Sequence, residues 1–276
     1  MIQSSPPSKK VRSYLIAGNW KMNTLYGDAT LLANNLSTAI PQILQHSQHH
    51  VSVAVFPPVV WLAAVAAALN TTPITVGAQN CSDHAKGAHT GEISAAMIES
   101  AGACYVIVGH SERRTMYGES SKIVAAKAVA ALSNNLTPLV CVGESLSERE
   151  QGRAWSVISE QLLAVIEACD QAQRNSLVVA YEPVWAIGSG VAATTEYIAD
   201  IHARIRELLQ QTGCEQDSRR MILYGGSVTP ANAAEIFSLA DVDGALVGGA
   251  SLNADSFTAI VQSAIEQETA EGPESC

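Results

Sequence analysis

The sequence predicts an α/β fold of a single domain, a closed (β/α)8 barrel, and three observations lead there. Eight short β-branched runs alternate strictly with eight longer stretches of helical spacing. The runs are apolar without alternation, as in Leu177-Val178-Val179-Ala180, which is how a parallel strand covered on both faces reads. No GxGxxG opens the first helix and no Pro/Gly/Ser linker divides the middle of the chain, which disfavours the alternative, an open doubly wound sheet. At about 150 residues per domain, 276 residues suggest nearly two domains. A barrel takes them as one body, at about 30 residues per unit, and exposes no sheet edge.

In chain order the strands are expected at Tyr14–Ala17, Val51–Phe56, Ile74–Ala78, Tyr105–Val108, Thr137–Val142, Leu177–Tyr181, Met221–Tyr224 and Gly244–Val247. The Ala/Leu-rich helical stretches between them are Asp28–Leu44, Val60–Leu69, Ser94–Ser100, Ser121–Leu132, Glu148–Ala172, Thr195–Gln211, Pro230–Phe237 and Asp255–Glu268. Such sequential units need right-handed parallel crossovers. Residues 1–12 and 269–276 read as loose tails around a catalytic domain of 13–268.

Composition narrows the partners. With 16 Lys plus Arg against 26 Asp plus Glu, the net charge is −10, which argues against a nucleic-acid binder or a polybasic membrane anchor. The only short basic group is Lys9-Lys10-Val11-Arg12. Apolar residues make up 47% and charged ones 15%, the balance of a globular chain with a sizeable core. No uninterrupted apolar stretch of about 18 residues suggests a membrane span. The six cysteines (Cys81, Cys104, Cys141, Cys169, Cys214, Cys276) form no CxxC pair, and the N-terminus has no apolar h-region, so a reduced, cytoplasmic protein is expected.

In a barrel of this class the residues just after each strand gather at one face, where active sites are built. After the first strand stands Asn19-Trp20-Lys21; a lone Lys is usually a surface cation, but an acidic protein that binds an anion must place its few cations locally. The fourth strand ends in Gly109-His110-Ser111-Glu112-Arg113-Arg114. His110 stands before an expected helical turn, whose N-terminus disfavours imidazolium and suits a neutral hydrogen-bonding ring. Arg113 and Arg114 read as a loop salt-bridge network, and Glu112 suits either purpose. The sixth strand runs into Glu182-Pro183. A carboxylate directly after an apolar strand has few structural excuses, which makes Glu182 the best general-base candidate. The apolar Val184-Trp185-Ala186-Ile187 followed by Gly188-Ser189-Gly190 reads as a lid. Gly225-Gly226-Ser227 and Gly248-Gly249 follow the seventh and eighth strands, where backbone N–H groups of such barrels hold phosphate. Thr229-Pro230 has the form of an N-cap with proline at the first helical position. No Cys/His metal spacing, Ser/His/Asp arrangement or Schiff-base lysine competes, so the expected chemistry is proton abstraction beside a carbonyl of a small phosphorylated substrate, without metal or organic cofactor.

Asn19-Trp20-Lys21, the segment 109–114, Tyr181-Glu182-Pro183-Val184-Trp185-Ala186-Ile187-Gly188, Tyr224-Gly225-Gly226-Ser227-Val228 and Gly248-Gly249 together resemble the triosephosphate isomerase family over roughly residues 14–265. The resemblance implies a TIM barrel that interconverts dihydroxyacetone phosphate and D-glyceraldehyde 3-phosphate through an enediolate, in glycolysis and gluconeogenesis. It implies Glu182 as proton carrier, a neutral His110 polarising the carbonyl, and Lys21 and Asn19 stabilising developing charge. Substrate and phosphate would be bound by Asn19, Lys21, Gly188, Ser227, Gly248 and Gly249, and Glu112 would be a buried supporting acid. Thr90, in Gly87-Ala88-His89-Thr90-Gly91-Glu92, would reach the partner subunit of a homodimer. Cys141 matches a family cysteine and reads as packing. Val191-Ala192-Ala193 departs from the family's Lys-Thr-Ala or Lys-Ser-Ala after the lid glycines, which bears on lid kinetics. The rival readings are another phosphate-binding barrel, such as an aldolase or phosphoribosyl isomerase, and a catalytically idle barrel that binds a phosphometabolite or a protein partner.

Overall fold

A computed structural model describes residues 12–47, 50–187, 193–214 and 219–271. Eight parallel strands close into a barrel in the order β1 to β8: Tyr14–Asn19, Val51–Phe56, Ile74–Ala78, Tyr105–Val108, Thr137–Val142, Val178–Tyr181, Ile222–Tyr224 and Gly244–Val247. Strand β1 outruns the expected Ala17 because Gly18 and Asn19 continue in register with Val55 and Phe56 of β2. Each strand sends alternate side chains to opposite faces, so the barrel has two cores. Leu15, Ala17, Phe56, Ile107, Leu139, Cys141, Ala180 and Leu223 belong to a compact cluster, the inner one. Tyr14, Ile16, Val53, Val106 and Val140 belong to the larger cluster with the helices.

The helices are α1 (Tyr26–Leu44), α2 (Leu62–Leu69), α3 (Ala95–Ser100), α4 (Ser111–Tyr117), α5 (Ser121–Leu132), α6 (Leu146–Glu150), α7 (Ala154–Ala168), α8 (Gln171–Arg174), α9 (Thr195–Gln211), α10 (Ala233–Phe237) and α11 (Ala254–Glu271). In α1 the buried positions Ala29, Leu32, Ala33, Leu36 and Ile40 make one stripe against the barrel. Among the described residues no helix is long and apolar enough to cross a membrane.

Three expectations need correction. The stretch Glu148–Ala172 is not one helix. Gly152 takes φ +69, which ends α6, and Asp170 opens α8 with its own capping box to Gln173. The helix expected from Pro230 begins at Ala233: the Asn232 side-chain oxygen accepts from the Thr229 N–H (2.8 Å) and hydroxyl (3.2 Å), closing a turn before the helix. Arg12 is no part of a loose tail, since its guanidinium bonds Asp243 Oδ1 at 3.3 Å and the carbonyl of Leu239. At the other end α11 runs on to Glu271.

Behind the site, His202 of α9 is fully buried, its ring 5.8 Å from that of Tyr181 and 6.4 Å from that of Tyr224. Its Nδ1 lies 3.0 Å from the Asp241 carbonyl oxygen and must carry the proton of that bond. Burial pushes its pKa down from 6.5 to about 4. Between those values the unfolded chain binds a proton that the native state refuses, so stability falls as pH falls. The expected loss at this site from pH 7 to pH 4 is on the order of 3 kcal/mol. Urea unfolding over that range should show a shallower decline for His202→Gln than for the wild type. Parallel declines would remove His202 from this role.

Candidate active site

At the end of β1, Asn19 is buried and its Oδ1 accepts the Lys21 N–H at 2.9 Å, an Asx-type turn that brings Lys21 to φ +50. A lysine pays steric strain there. The Gln79 amide holds it, donating to the carbonyls of Lys21 (2.8 Å) and Phe56 (2.9 Å). Lys21 Nζ reaches Glu112 Oε1 at 2.7 Å, and its stem runs past the glycine turn after β8: a β-carbon at Gly248 would stand 3.4 Å from Lys21 Cε. Glu112 is therefore not the buried acid expected. Its side chain is 39% exposed, because α4's first turn carries it to the rim to meet the ammonium group.

His110 caps α4. Its Nδ1 accepts the Glu112 N–H at 3.3 Å, so Nε2 is the nitrogen that carries hydrogen in the neutral ring. Nε2 lies 3.0 Å from Glu182 Oε1, and Glu182 Oε2 accepts the Ser111 N–H at 2.8 Å. Glu182 is only 2% exposed. Burial alone would raise its pKa, but His110, the Ser111 N–H and Lys21 outweigh it, and the carboxyl is held below its ordinary range. Burial disfavours imidazolium at His110, and the facing Glu182 carboxylate more than offsets it, so the ring's pKa is raised while the two remain in contact. The base is thus ionised and held in place by groups it must exchange for substrate.

The backbone just after β5 and just after β7 is pressed against Glu182. A β-carbon at Gly143 would fall inside the contact radius of the Glu182 carbonyl oxygen, and one at Gly225 would lie 2.9 Å from Glu182 Cγ. Gly143→Ala is expected to cost several kcal/mol, on the order of other overpacking lesions, and to displace Glu182. Thermal melting with kcat on the same sample checks both effects. A variant that melts like wild type would refute the close approach.

Behind the lid's first residues stands Glu144, fully buried, a residue that the sequence reading passed over. Its carboxylate accepts from Trp185 Nε1 (2.8 Å), the Tyr197 hydroxyl (2.9 Å) and the Tyr181 hydroxyl (3.1 Å). The Arg149 guanidinium lies 3.9 Å from the Trp185 ring centre and 4.6 Å from that of Tyr197. Val184–Ala186 is a 3₁₀ turn. Gly188 and the rest of the expected lid, with Val191 and Ala192, lie outside the described residues; Ala193 beyond them is buried.

A cavity of about 290 Å³ gathers Asn19, Lys21, His110 and Glu182 with Gly225, Gly226, Ser227, Gly248 and Gly249. A second cavity of about 610 Å³ shares Asn19, Lys21 and His110 and continues past Glu112 to Met22, Met116 and Tyr117. Gln79, also missed in the sequence reading, lines this larger cavity. Gln79 follows β3 directly and Glu144 follows β5 after one glycine, close to the signal that singles out Glu182. Cys141 lies in the inner core and burial pushes its thiol well up, in keeping with packing. Among the described residues no group of three His, Cys, Asp or Glu side chains is arranged to hold a metal ion. Thr90 stands on an exposed loop tip.

A closed parallel barrel whose strand ends join a carboxylate–imidazole pair to an ammonium group and a glycine-lined hollow defines an acid–base (β/α)8-barrel enzyme. The sequence model of triosephosphate isomerase matches residues 14–264. The chain is 47% identical over 253 residues to the triosephosphate isomerase of Porphyromonas gingivalis, covering 91% of this chain and 99% of that one. It is 49% identical over 255 residues to that of Thiobacillus denitrificans (92% and 99% covered) and 47% over 257 residues to that of Halorhodospira halophila (93% and 100%). The chain belongs to the triosephosphate isomerase family.

Proposed function

We propose that Glu182 is the base with which this isomerase interconverts dihydroxyacetone phosphate and D-glyceraldehyde 3-phosphate. The observation that carries the assignment is the buried Glu182–His110 pair, 3.0 Å apart, opening on the same hollow as Lys21 and the glycine turns. A substrate carbon placed before Glu182 loses its proton to the carboxylate, and the charge moves to the carbonyl oxygen as an enediolate. His110 donates to that oxygen from Nε2 and, by exchanging protons with the two substrate oxygens, lets the double bond move. The Lys21 ammonium and the Asn19 amide stabilise the negative charge. Return of the proton from Glu182 to the neighbouring carbon completes the isomerisation.

The phosphate is assigned to backbone N–H groups at Ser227, Gly248 and Gly249, with Gly188 of the lid as a further donor. Gly249 has open space where a β-carbon would stand, so a phosphate oxygen can approach its amide closely. Closure of the lid would exclude water and retain the enediolate. Glu112 serves by orienting Lys21 through their 2.7 Å contact.

The reading includes a homodimer. Met22, Met116 and Tyr117, large apolar side chains from 69% to 95% exposed, line the larger cavity, a patch that asks to be covered. Thr90 of one copy would enter that cavity in the other. A cytoplasmic setting in glycolysis and gluconeogenesis suits the free thiols of the five described cysteines.

A coupled assay with glyceraldehyde 3-phosphate tests the activity. Turnover that saturates with substrate is expected. A folded, phosphate-binding preparation without turnover would instead make the chain an idle barrel.

A further inference from the structure

The loop between β3 and α3 carries two imidazoles that the isomerase chemistry does not use. His84 and His89 lie face to face, their ring centres 3.9 Å apart and their planes 13° from parallel. They stand on a segment exposed from Asp83 to Glu92, which folds back on itself through the His89 N–H to the Gly87 carbonyl (2.9 Å) and the Glu92 N–H to the His89 carbonyl (3.0 Å). The nearest opposite charge is Asp83, with Oδ1 3.8 Å from His84 Nε2; Lys86 and Glu92 are the other charged groups of the loop. Thr90, the residue placed in the partner's cavity above, follows His89 directly.

Two neutral imidazoles, or one neutral and one charged, stack without penalty, whereas two imidazolium ions at this separation repel. The repulsion grows when the loop leaves water for a protein cavity, where each charge also loses solvation. The charged groups lining the larger cavity are Lys21, Glu92, Glu112 and Arg113, with His110, Cys81 and Tyr117 completing its titratable set. Lys21 is already paired with Glu112 at 2.7 Å and Arg113 with Glu119 at 2.5 Å. The wall therefore offers Glu92 alone as an uncommitted carboxylate to two incoming protons.

We infer that the His84–His89 stack makes association of two copies of this chain pH-dependent, the dimer forming while at least one ring of each stack is neutral and loosening when both are protonated. The inference rests on the homodimer reading. Imidazole is the side chain that ordinarily changes charge between about pH 5 and 8, so the test spans that range.

Sedimentation velocity over a concentration series, on the full chain at pH 7.5 and 5.5, gives the dimer Kd at each pH. The wild-type Kd is expected to rise about tenfold or more on acidification, as exclusion of one proton per stack requires. His84→Gln and His89→Gln each leave a single ring and should hold the change to about threefold or less. The ratio is read within each protein, so a variant that associates more weakly at both pH values still reports. Equal rises in wild type and variants, or no rise in wild type, would overturn the inference. A wild-type chain that sediments as a monomer at pH 7.5 would overturn the homodimer reading itself, and the switch with it.

Discussion

Glu182→Gln lowers kcat by about a thousandfold or more, with the barrel still folded. General-base catalysis by a positioned side chain contributes ~10²–10⁴-fold, and a neutral amide of the same shape forfeits it. The amide keeps the carboxylate's shape but has one acceptor oxygen in place of two, so it retains only one of the bonds from His110 Nε2–H and the Ser111 N–H. Far-ultraviolet circular dichroism and phosphate binding should stay close to wild type. Glu182→Asp separates position from charge. It keeps the carboxylate but withdraws it from the reacting carbon by one methylene, and misplacement on this scale costs on the order of 10²-fold. Wild-type turnover in either variant would remove Glu182 from the reaction.

Lys21→Met is expected to lower kcat/KM by roughly 10²–10³-fold, through both terms. The ammonium lies between Glu112 and the Gly248 turn, so it serves phosphate binding and charge developing on the enediolate together. In a chain of net charge −10 no general attraction holds a dianion, and a local cation must do so. Steady-state kinetics that changed KM alone would confine Lys21 to ground-state binding. Glu112→Gln should cost far less, since it frees Lys21 Nζ from a half-exposed partner.

The strands were the most legible part of the fold, because a parallel strand buried on both faces is a bare apolar run with turn residues at its end. Five of the eight have the expected bounds to the residue. Helix ends were harder. The break at Gly152 and the turn closed by Asn232 depend on a left-handed backbone and a side-chain hydrogen bond that an Ala/Leu pattern does not encode. At the site the strand-end rule brought together Asn19, Lys21, His110, Glu182, Ser227, Gly248 and Gly249, and all of them line one cavity. The same rule does not rank what it finds. Glu144 and Glu182 both follow apolar strands as buried carboxylates, but three hydroxyl and indole donors saturate the first and a histidine opens the second to the cavity. Their difference lies in residues far away in sequence. The exposure of Glu112 is illegible for a related reason: it follows from α4's first turn, which local composition does not reveal.

The claim on which the account stands is that a carboxylate carries the substrate proton. Proton NMR of the isomerisation run in D2O tests it most directly. A proton held on Glu182 exchanges with solvent during the life of the enediolate, so product formed early should carry deuterium at the newly protonated carbon, and Glu182→Gln should suppress isomerisation and labelling together. Product free of deuterium at every stage, formed as fast by Glu182→Gln as by wild type, would mean direct hydrogen migration between the carbons and would contradict the account.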